Sequence, residues 1–145
     1  MSMEIQMKKS RPPTPQEIEA LTAFLPRLYA EGFSPVTNWE GGKGKDGVYR
    51  LPYPNYNKLV EEFFYAVAGE GWIDYEYNPE QAYQMLKDES LIKTASLSQI
   101  KTMLTFCLRG ERFSDGHWAQ MIEEGHIRRL LERLNEIKSE QQNKV

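Results

Sequence analysis

Apolar residues recur at helical spacing in the first part of the chain. Thr14, Pro15 and Glu17 mark the start of a helix, because threonine caps helix N-termini, proline suits the first turn and glutamate completes a capping box. The apolar residues that follow at intervals of three or four are Ile18, Leu21, Leu25 and Leu28. Pro26 removes a backbone hydrogen bond inside this pattern, so a kink or an early end is expected there, and Gly32 is a suitable stop.

Helical spacing returns in five later stretches. Their apolar faces are Leu59, Val60, Phe63, Phe64 and Val67; Ala82, Met85 and Leu86; Leu97, Ile100, Met103, Leu104, Cys107 and Leu108; Trp118, Met121 and Ile122; and Ile127, Leu130, Leu131, Leu134 and Ile137. Asn78 and the pair Ser96 and Gln99 have the residue types of helix N-caps. Gly110 is predicted to end its helix in a left-handed turn, and Ser114 to cap the next helix.

Helical spacing is lost between residues 33 and 54. The stretches "PVTNWE" and "GVYRLPY" contain aromatic and β-branched residues and predict a small β-hairpin or an extended segment over 35–54. Between them, "GKGKDG" at 42–47 has the form G-x-G-x-x-G, which in dinucleotide-binding proteins is followed by a helix. Pro52 and Pro54 exclude a helix at this point, so the glycines are interpreted as a loop tip.

These elements predict an all-α, mainly helical fold of about five to six helices, with the hairpin as a minor addition. A chain of 145 residues is long enough to bury one core. We expect a single helical domain over 14–139, a flexible N-terminal arm over 1–13 and a polar C-terminal tail over 140–145.

Charge and cysteine content narrow the classes of function. A net charge of −3 does not suggest a broad nucleic-acid surface, so nucleic acid is an unlikely partner. Cys107 is the single cysteine and cannot form an internal disulfide, which favours a reducing cytoplasm. No apolar run approaches the length that spans a membrane, so no membrane role is expected.

The histidines and the cysteine are weak candidates for chemistry. His117 and His126 lie nine residues apart and lack the four-residue spacing of a helical metal pair. We interpret them as residues at helix ends and expect no metal and no cofactor. Cys107 lies on an apolar helix face, where a thiol is usually an inert small hydrophobe.

An unusual number of aromatic residues lie in or beside loops. They are Trp39, Tyr49, Tyr53, Tyr56, Trp72, Tyr75, Tyr77 and Tyr83. Such rings can anchor a protein partner or stack on a base or sugar. The favoured interpretation is that they cover the core, with each hydroxyl bonded to a partner or to water.

The stretch "LRGERFSDGHW", residues 108–118, is the densest group of reactive side chains. A structural interpretation treats it as a tight corner between two helices. In that case Arg109 and Arg112 meet the free carbonyls of one helix, and Asp115 meets the free amides of the next. Phe113 and Trp118 then plug the junction, and the acidic residues pair with the arginines.

A functional interpretation places an anion at the same corner, because helix N-termini and arginine both favour negative charge. The candidate catalytic residues are Glu111 and His117, and the candidate ligand-binding residues are Arg109, Arg112, Asp115 and Trp118. No spacing rule determines the geometry of this group. The structural interpretation is therefore favoured.

Three stretches carry a resemblance to a known family: "TMLTFCLRGERFSDGHWAQMIEEGHIRRLLERL", "LPYPNYNKLVEEFF" and "WIDYEY". Together they resemble a family of small bacterial and archaeal proteins known only as a domain of unknown function. The resemblance covers about the last two-thirds of the chain, and Arg109 to Trp118, "RGERFSDGHW", is its most specific part. It implies a compact, mainly helical domain and no particular activity.

Three hypotheses of function remain. The first is a non-enzymatic domain that acts through a protein partner or as a homo-oligomer, using the aromatic surface or the last helix. The second is an enzyme or a binder of a small anion such as phosphate or a nucleotide, centred on residues 109–117. The third treats residues 97–124 as a helix-turn-helix on DNA, with Lys101, Arg109 and Arg112 on phosphates; Gln120, Glu123 and Glu124 on the second helix argue against it.

Overall fold

A computed structural model describes residues 11–143, and these fold into a mainly helical domain with one antiparallel hairpin. The helices are α1 (Pro15–Thr22), α2 (Leu25–Leu28), α3 (Lys58–Val67), α4 (Pro79–Leu86), α5 (Glu89–Lys93), α6 (Leu97–Arg109), α7 (His117–Glu123) and α8 (His126–Asn143). The strands are β1 (Val36–Lys43) and β2 (Tyr49–Tyr56), and a 3-10 turn spans Gly110–Arg112. The fold is thus mainly helical, and "all-α" describes it only roughly.

Local capping explains where several helices begin. Thr14 and Glu17 form the predicted capping box at α1, and Ser96 and Gln99 form the second one at α6. The side chain of Asn78 accepts the Gln81 amide at the start of α4, as expected. The short helix α5 was not predicted. The first predicted helix is divided into α1 and α2.

Pro26 accounts for that division. It lies in the first turn of α2, where its missing N–H costs no hydrogen bond. The predicted interruption at this proline is confirmed.

The hairpin is confirmed and its tip is the glycine-rich segment. Strand β1 pairs with β2 in a register that places Val36 opposite Tyr56 and Lys43 opposite Tyr49. The Gly44 amide donates to the Val48 carbonyl across the tip. A strand, not a helix, follows the G-x-G-x-x-G sequence, which excludes the dinucleotide-binding context.

The core surrounds α8. Helices α1, α2, α5, α6 and α7 all pack against it. The α8 residues with no exposed surface are Ile127, Leu130, Leu131 and Leu134. This leucine stripe is covered within the chain, so it offers no free apolar face to a second molecule. The Tyr29 hydroxyl adds a polar tie, because it donates to the Ile122 carbonyl and accepts from the Arg128 amide.

The ends of the described range bear on the predicted boundaries. Most of the predicted N-terminal arm, residues 1–10, lies outside the described residues. Arg11 contacts the helical body through an ion pair with Glu17 of 2.7 Å, and its carbonyl accepts from Lys101. Helix α8 continues through Asn143, into the segment assigned to the tail.

Candidate functional site

Residues Leu108–Trp118, here called the corner segment, connect α6 to α7 through the 3-10 turn. Gly110 has φ −60°, so it continues the right-handed chain and the predicted left-handed turn is wrong. A glycine is needed here for a different reason. A Cβ at position 110 would overlap the imidazole ring of His117, which lies against the Gly110 backbone.

Glu111 is the polar centre of the corner segment. Its carboxylate accepts from the Tyr56 hydroxyl at 2.7 Å, from the Gly116 amide at 3.0 Å and from the Trp118 amide at 2.8 Å. The first amides of a helix have no partner within the helix, and a negative charge near them is favourable. Glu111 therefore caps α7 in place of the predicted Ser114, and it ties that cap to the end of β2.

His117 lies behind the corner segment. Its side chain is 8% exposed and packs edge-on against Phe106, with the ring centroids 5.4 Å apart. Burial lowers the pKa of this imidazole, so the neutral form is favoured. Its Nε2 atom has no hydrogen-bond partner among residues 11–143 and points at Gly110. The imidazole is thus packed between helices, away from solvent.

Trp118 joins three elements at once. Its ring stacks on Phe64 of α3 at 4.6 Å and contacts Tyr56 of β2 at 5.2 Å between centroids. Its indole Nε1 donates to the Leu108 carbonyl at 2.9 Å. The prediction that Trp118 plugs the junction is confirmed.

Gly116 and Trp39 make a further contact between the corner segment and the hairpin. Gly116 has φ 92°, in the left-handed region that favours glycine, and precedes α7. A Cβ at this position would come within 2.9 Å of the Trp39 ring. Gly116 therefore provides both the backbone conformation and the space for β1.

The exposed residues of the corner segment are Arg112, Phe113, Ser114 and Asp115. Phe113 is 86% exposed, so the prediction that it plugs the junction is wrong. Arg112 and Asp115 are exposed, and within residues 11–143 no carboxylate lies within 4.0 Å of Arg109 or Arg112. The predicted pairing of these arginines with Glu111 and Asp115 is therefore wrong as well. Arg109 lies over the Tyr77 ring, 5.2 Å from its centroid.

A cleft of about 490 Å³ brings part of the predicted site together. Arg109, Glu111, Arg112 and Trp118 line it, and so do residues from the end of α3 and the connector that follows. Asp115 and His117 are not among the lining residues. The two candidate proton carriers, Glu111 and His117, are thus separated: one is bonded to three donors and the other is buried behind the cleft.

Nothing in the sequence pattern places Tyr56 and Phe64 at this site. Tyr56 is one of several aromatic residues in or beside loops, and its hydroxyl is the side-chain donor to Glu111. The expectation that those aromatics cover the core holds for Trp72 and Tyr56, and is wrong for the exposed Tyr49. A tyrosine at the end of a strand was the only signal available.

The remaining candidate residues lie outside the corner segment. Cys107 is fully buried and burial raises the pKa of its thiol, as expected for an inert side chain. Within residues 11–143, no group of three or more His, Cys, Asp or Glu side chains is placed to hold a metal ion. The exposed surface at the end of α7 carries Gln120, Glu123 and Glu124. Two of these side chains are acidic, which makes the surface unfavourable for contact with DNA phosphates.

No helix in the described part of the chain has the length and apolar character needed to cross a membrane.

The chain was compared with known proteins. Neither the curated proteins nor the solved structures contain a match. One family model matches residues 13–140, which include every helix from α1 to α7, the hairpin, the corner segment and most of α8. By this match the chain belongs to the family of unknown function DUF6508.

Proposed function

We propose that this domain acts by binding another protein through the distal half of its hairpin, residues 43–53. The observation that carries the proposal is a group of exposed apolar side chains, Tyr49, Leu51 and Tyr53, in the distal part of β2. They are exposed by 64%, 78% and 45%. Tyr49 and Leu51 lie two residues apart and point the same way, whereas a register shift opposite Gly41 interrupts the alternation of side chains before Tyr53.

The base of the hairpin is held firmly and the distal half is not. At the base, Tyr56 bonds to Glu111, and the Asn57 amide donates to the Pro35 carbonyl at 2.8 Å. Beyond Trp39 the two strands pair mainly with each other. A two-stranded hairpin is marginally stable in water by itself, and exposed apolar patches on soluble proteins mark interaction surfaces. This arrangement supports a projecting contact arm on a rigid joint.

Charge defines the partner surface. The distal hairpin carries the cations Lys43, Lys45 and Arg50, and the one acid, Asp46, pairs with Arg50 at 3.1 Å. The excess of positive charge fits a partner with an apolar patch bordered by acidic residues. Proline at 52 and 54 removes two N–H donors from β2, so side chains of this strand, more than its backbone, supply the contact.

The test compares two tyrosines. Tyr49 lies on the proposed surface, while Tyr65 on α3 lies outside it and is 85% exposed. A photo-crosslinking residue at position 49 is expected to capture one defined protein in the cells of origin, and the same residue at position 65 is not. The captured protein, purified, should bind the wild-type domain and lose at least tenfold in affinity for Leu51→Ser, about 1.4 kcal/mol.

Two outcomes would overturn the proposal. In the first, positions 49 and 65 capture the same proteins equally. In the second, sedimentation of the purified domain shows a stable homo-oligomer that Leu51→Ser converts to monomer, which would make a second copy of the chain the occupant of this surface.

A further inference from the structure

The cleft beside the corner segment has a lining that is apolar in one part and cationic in another. Ile73 is buried, Leu108 and Trp118 are half-buried, and all three line the cleft together with Ala68 and Tyr75. Arg109 and Arg112 supply the cationic part. The volume of about 490 Å³ falls within the range of about 300 to 1,000 Å³ that small-molecule sites occupy.

The two arginines have no carboxylate partner, unlike most arginines in the described part of the chain. The arginines that are ion-paired there are Arg11, Arg50, Arg128, Arg129 and Arg133. Glu111 also lines the cleft, but its oxygens already accept from Tyr56 and two backbone amides. The cleft is therefore lined by two arginines that have no carboxylate partner, and Glu111, the carboxylate among its lining residues, is already hydrogen-bonded.

The two arginines lie close to each other in the chain. Arg109 ends α6 and Arg112 ends the 3-10 turn that follows, three residues later. Both residues line the cleft, and the Arg109 guanidinium also lies over the Tyr77 ring, 5.2 Å from its centroid. Paired guanidinium groups bind the oxygens of carboxylates and phosphates through parallel hydrogen bonds.

We propose that this cleft binds a small molecule that has a carboxylate or phosphate group on an apolar or aromatic body. Arg109 and Arg112 hold the anionic group, and the body packs on Trp118, Tyr75 and Leu108. The role is binding, without catalysis, because the nearby carboxylate is a helix cap and the imidazole lies outside the cleft. This inference does not depend on the hairpin surface, which is formed by other residues.

The test uses phenyl phosphate, benzoate and inorganic phosphate as probes in isothermal titration calorimetry. At least one of the two aromatic probes is expected to bind about tenfold more tightly than inorganic phosphate, because its ring occupies the apolar part of the cleft and inorganic phosphate has no such group. Whichever of the two binds more tightly identifies the anionic group. The double variant Arg109→Gln/Arg112→Gln should lose at least tenfold in affinity for that probe. Arg27→Gln is the matched control, since Arg27 is an exposed arginine that contacts the Phe24 ring elsewhere on the surface.

A second variant tests whether the ligand occupies the cleft itself. Ala68 follows α3, is exposed and lines the cleft, so Ala68→Glu should fold normally while placing a repelling carboxylate inside it. This variant is expected to abolish binding. The proposal is overturned if neither aromatic probe binds, if inorganic phosphate binds as tightly as both, or if binding survives in the double arginine variant.

Discussion

The corner segment has an inward-facing and an outward-facing set of side chains, and the two sets have similar chemistry in different surroundings. Glu111 and Asp115 are both acids near the start of α7. Glu111 accepts three hydrogen bonds, whereas Asp115 is exposed and makes no side-chain hydrogen bond or ion pair to any residue between 11 and 143. Trp118 stacks on Phe64 and contacts Tyr56, whereas Phe113 is open to solvent. The difference shows that residue type alone does not indicate which side chains of the segment pack inside the fold and which lie on its surface.

The inward set also explains how the hairpin is attached to the helices. Tyr56 bonds to Glu111 and contacts Trp118, while Trp39 lies over Gly116. Every one of these contacts involves a residue of the corner segment. The corner segment is therefore a joint between the helical body and the hairpin as well as a connection between α6 and α7.

The largest expected effect is that of Trp118→Ala. The substitution removes the stacking on Phe64, the contact with Tyr56 and the hydrogen bond to the Leu108 carbonyl, so we expect a loss of about 3 to 5 kcal/mol in the free energy of unfolding. Chemical denaturation measures it. Trp39→Ala, at a ring that is exposed by about half, should cost much less. Equal losses for the two tryptophans would contradict the central role of Trp118 in the contact between the hairpin and the helices.

Glu111→Ala should cost about 2 to 3 kcal/mol, because three donors lose their charged acceptor. The same substitution at the outward acid, Asp115→Ala, should change stability by less than about 0.5 kcal/mol. Denaturant titration of the two variants side by side compares two acids in one segment. A similar loss for both would contradict the proposed role of Glu111.

Gly110→Ala is expected to cost about 1 to 3 kcal/mol, because the added methyl group overlaps the His117 ring. The backbone itself tolerates alanine, since φ is −60°. Removing the imidazole should therefore relieve the clash. Gly110→Ala should lower the free energy of unfolding less in a His117→Ala background than in the wild type. An unchanged cost in the two backgrounds would show that the glycine is required for another reason.

The smallest effect concerns pH. Burial lowers the pKa of both His117 and His126 in the folded protein, so the unfolded chain binds protons more readily than the folded one. The stability that the neutral imidazoles contribute is then fully present above about pH 6.5 and is lost as the pH falls through the lower folded pKa. NMR titration should place the His117 pKa below about 6.5, with His126→Gln used to assign the two resonances. A His117 pKa at or above that value would contradict its burial as a neutral ring.

Features that depend on near neighbours in the chain were predictable. The capping boxes at Thr14 and Ser96, the interruption at Pro26 and the glycine-rich hairpin tip each follow from residues within a few positions of one another. Family membership, inferred from the corner segment and its flanks, agrees with the match over residues 13–140.

Features that depend on distant contacts were not predictable. Ser114 has the right residue type for a cap, but Glu111 reaches the same amides and is held there by Tyr56, which lies 55 residues away in the chain. Gly110 has the right type for a left-handed stop, but it is required by the ring of His117. Phe113 is apolar yet exposed, since a connection of a few residues has no periodicity that would indicate an inward face.

The joint between hairpin and helices is tested most directly by a double-mutant cycle on Tyr56→Phe and Glu111→Gln, measured by chemical denaturation. The hydroxyl and the carboxylate lie 2.7 Å apart in a half-buried site, so the account predicts a coupling energy of about 1 to 2 kcal/mol. The exposed pair Tyr53 and Glu40 is hydrogen-bonded in the same way, and its Tyr53→Phe and Glu40→Gln cycle should give a coupling near zero. Strictly additive losses at Tyr56 and Glu111 would contradict the claim that the corner segment holds the hairpin.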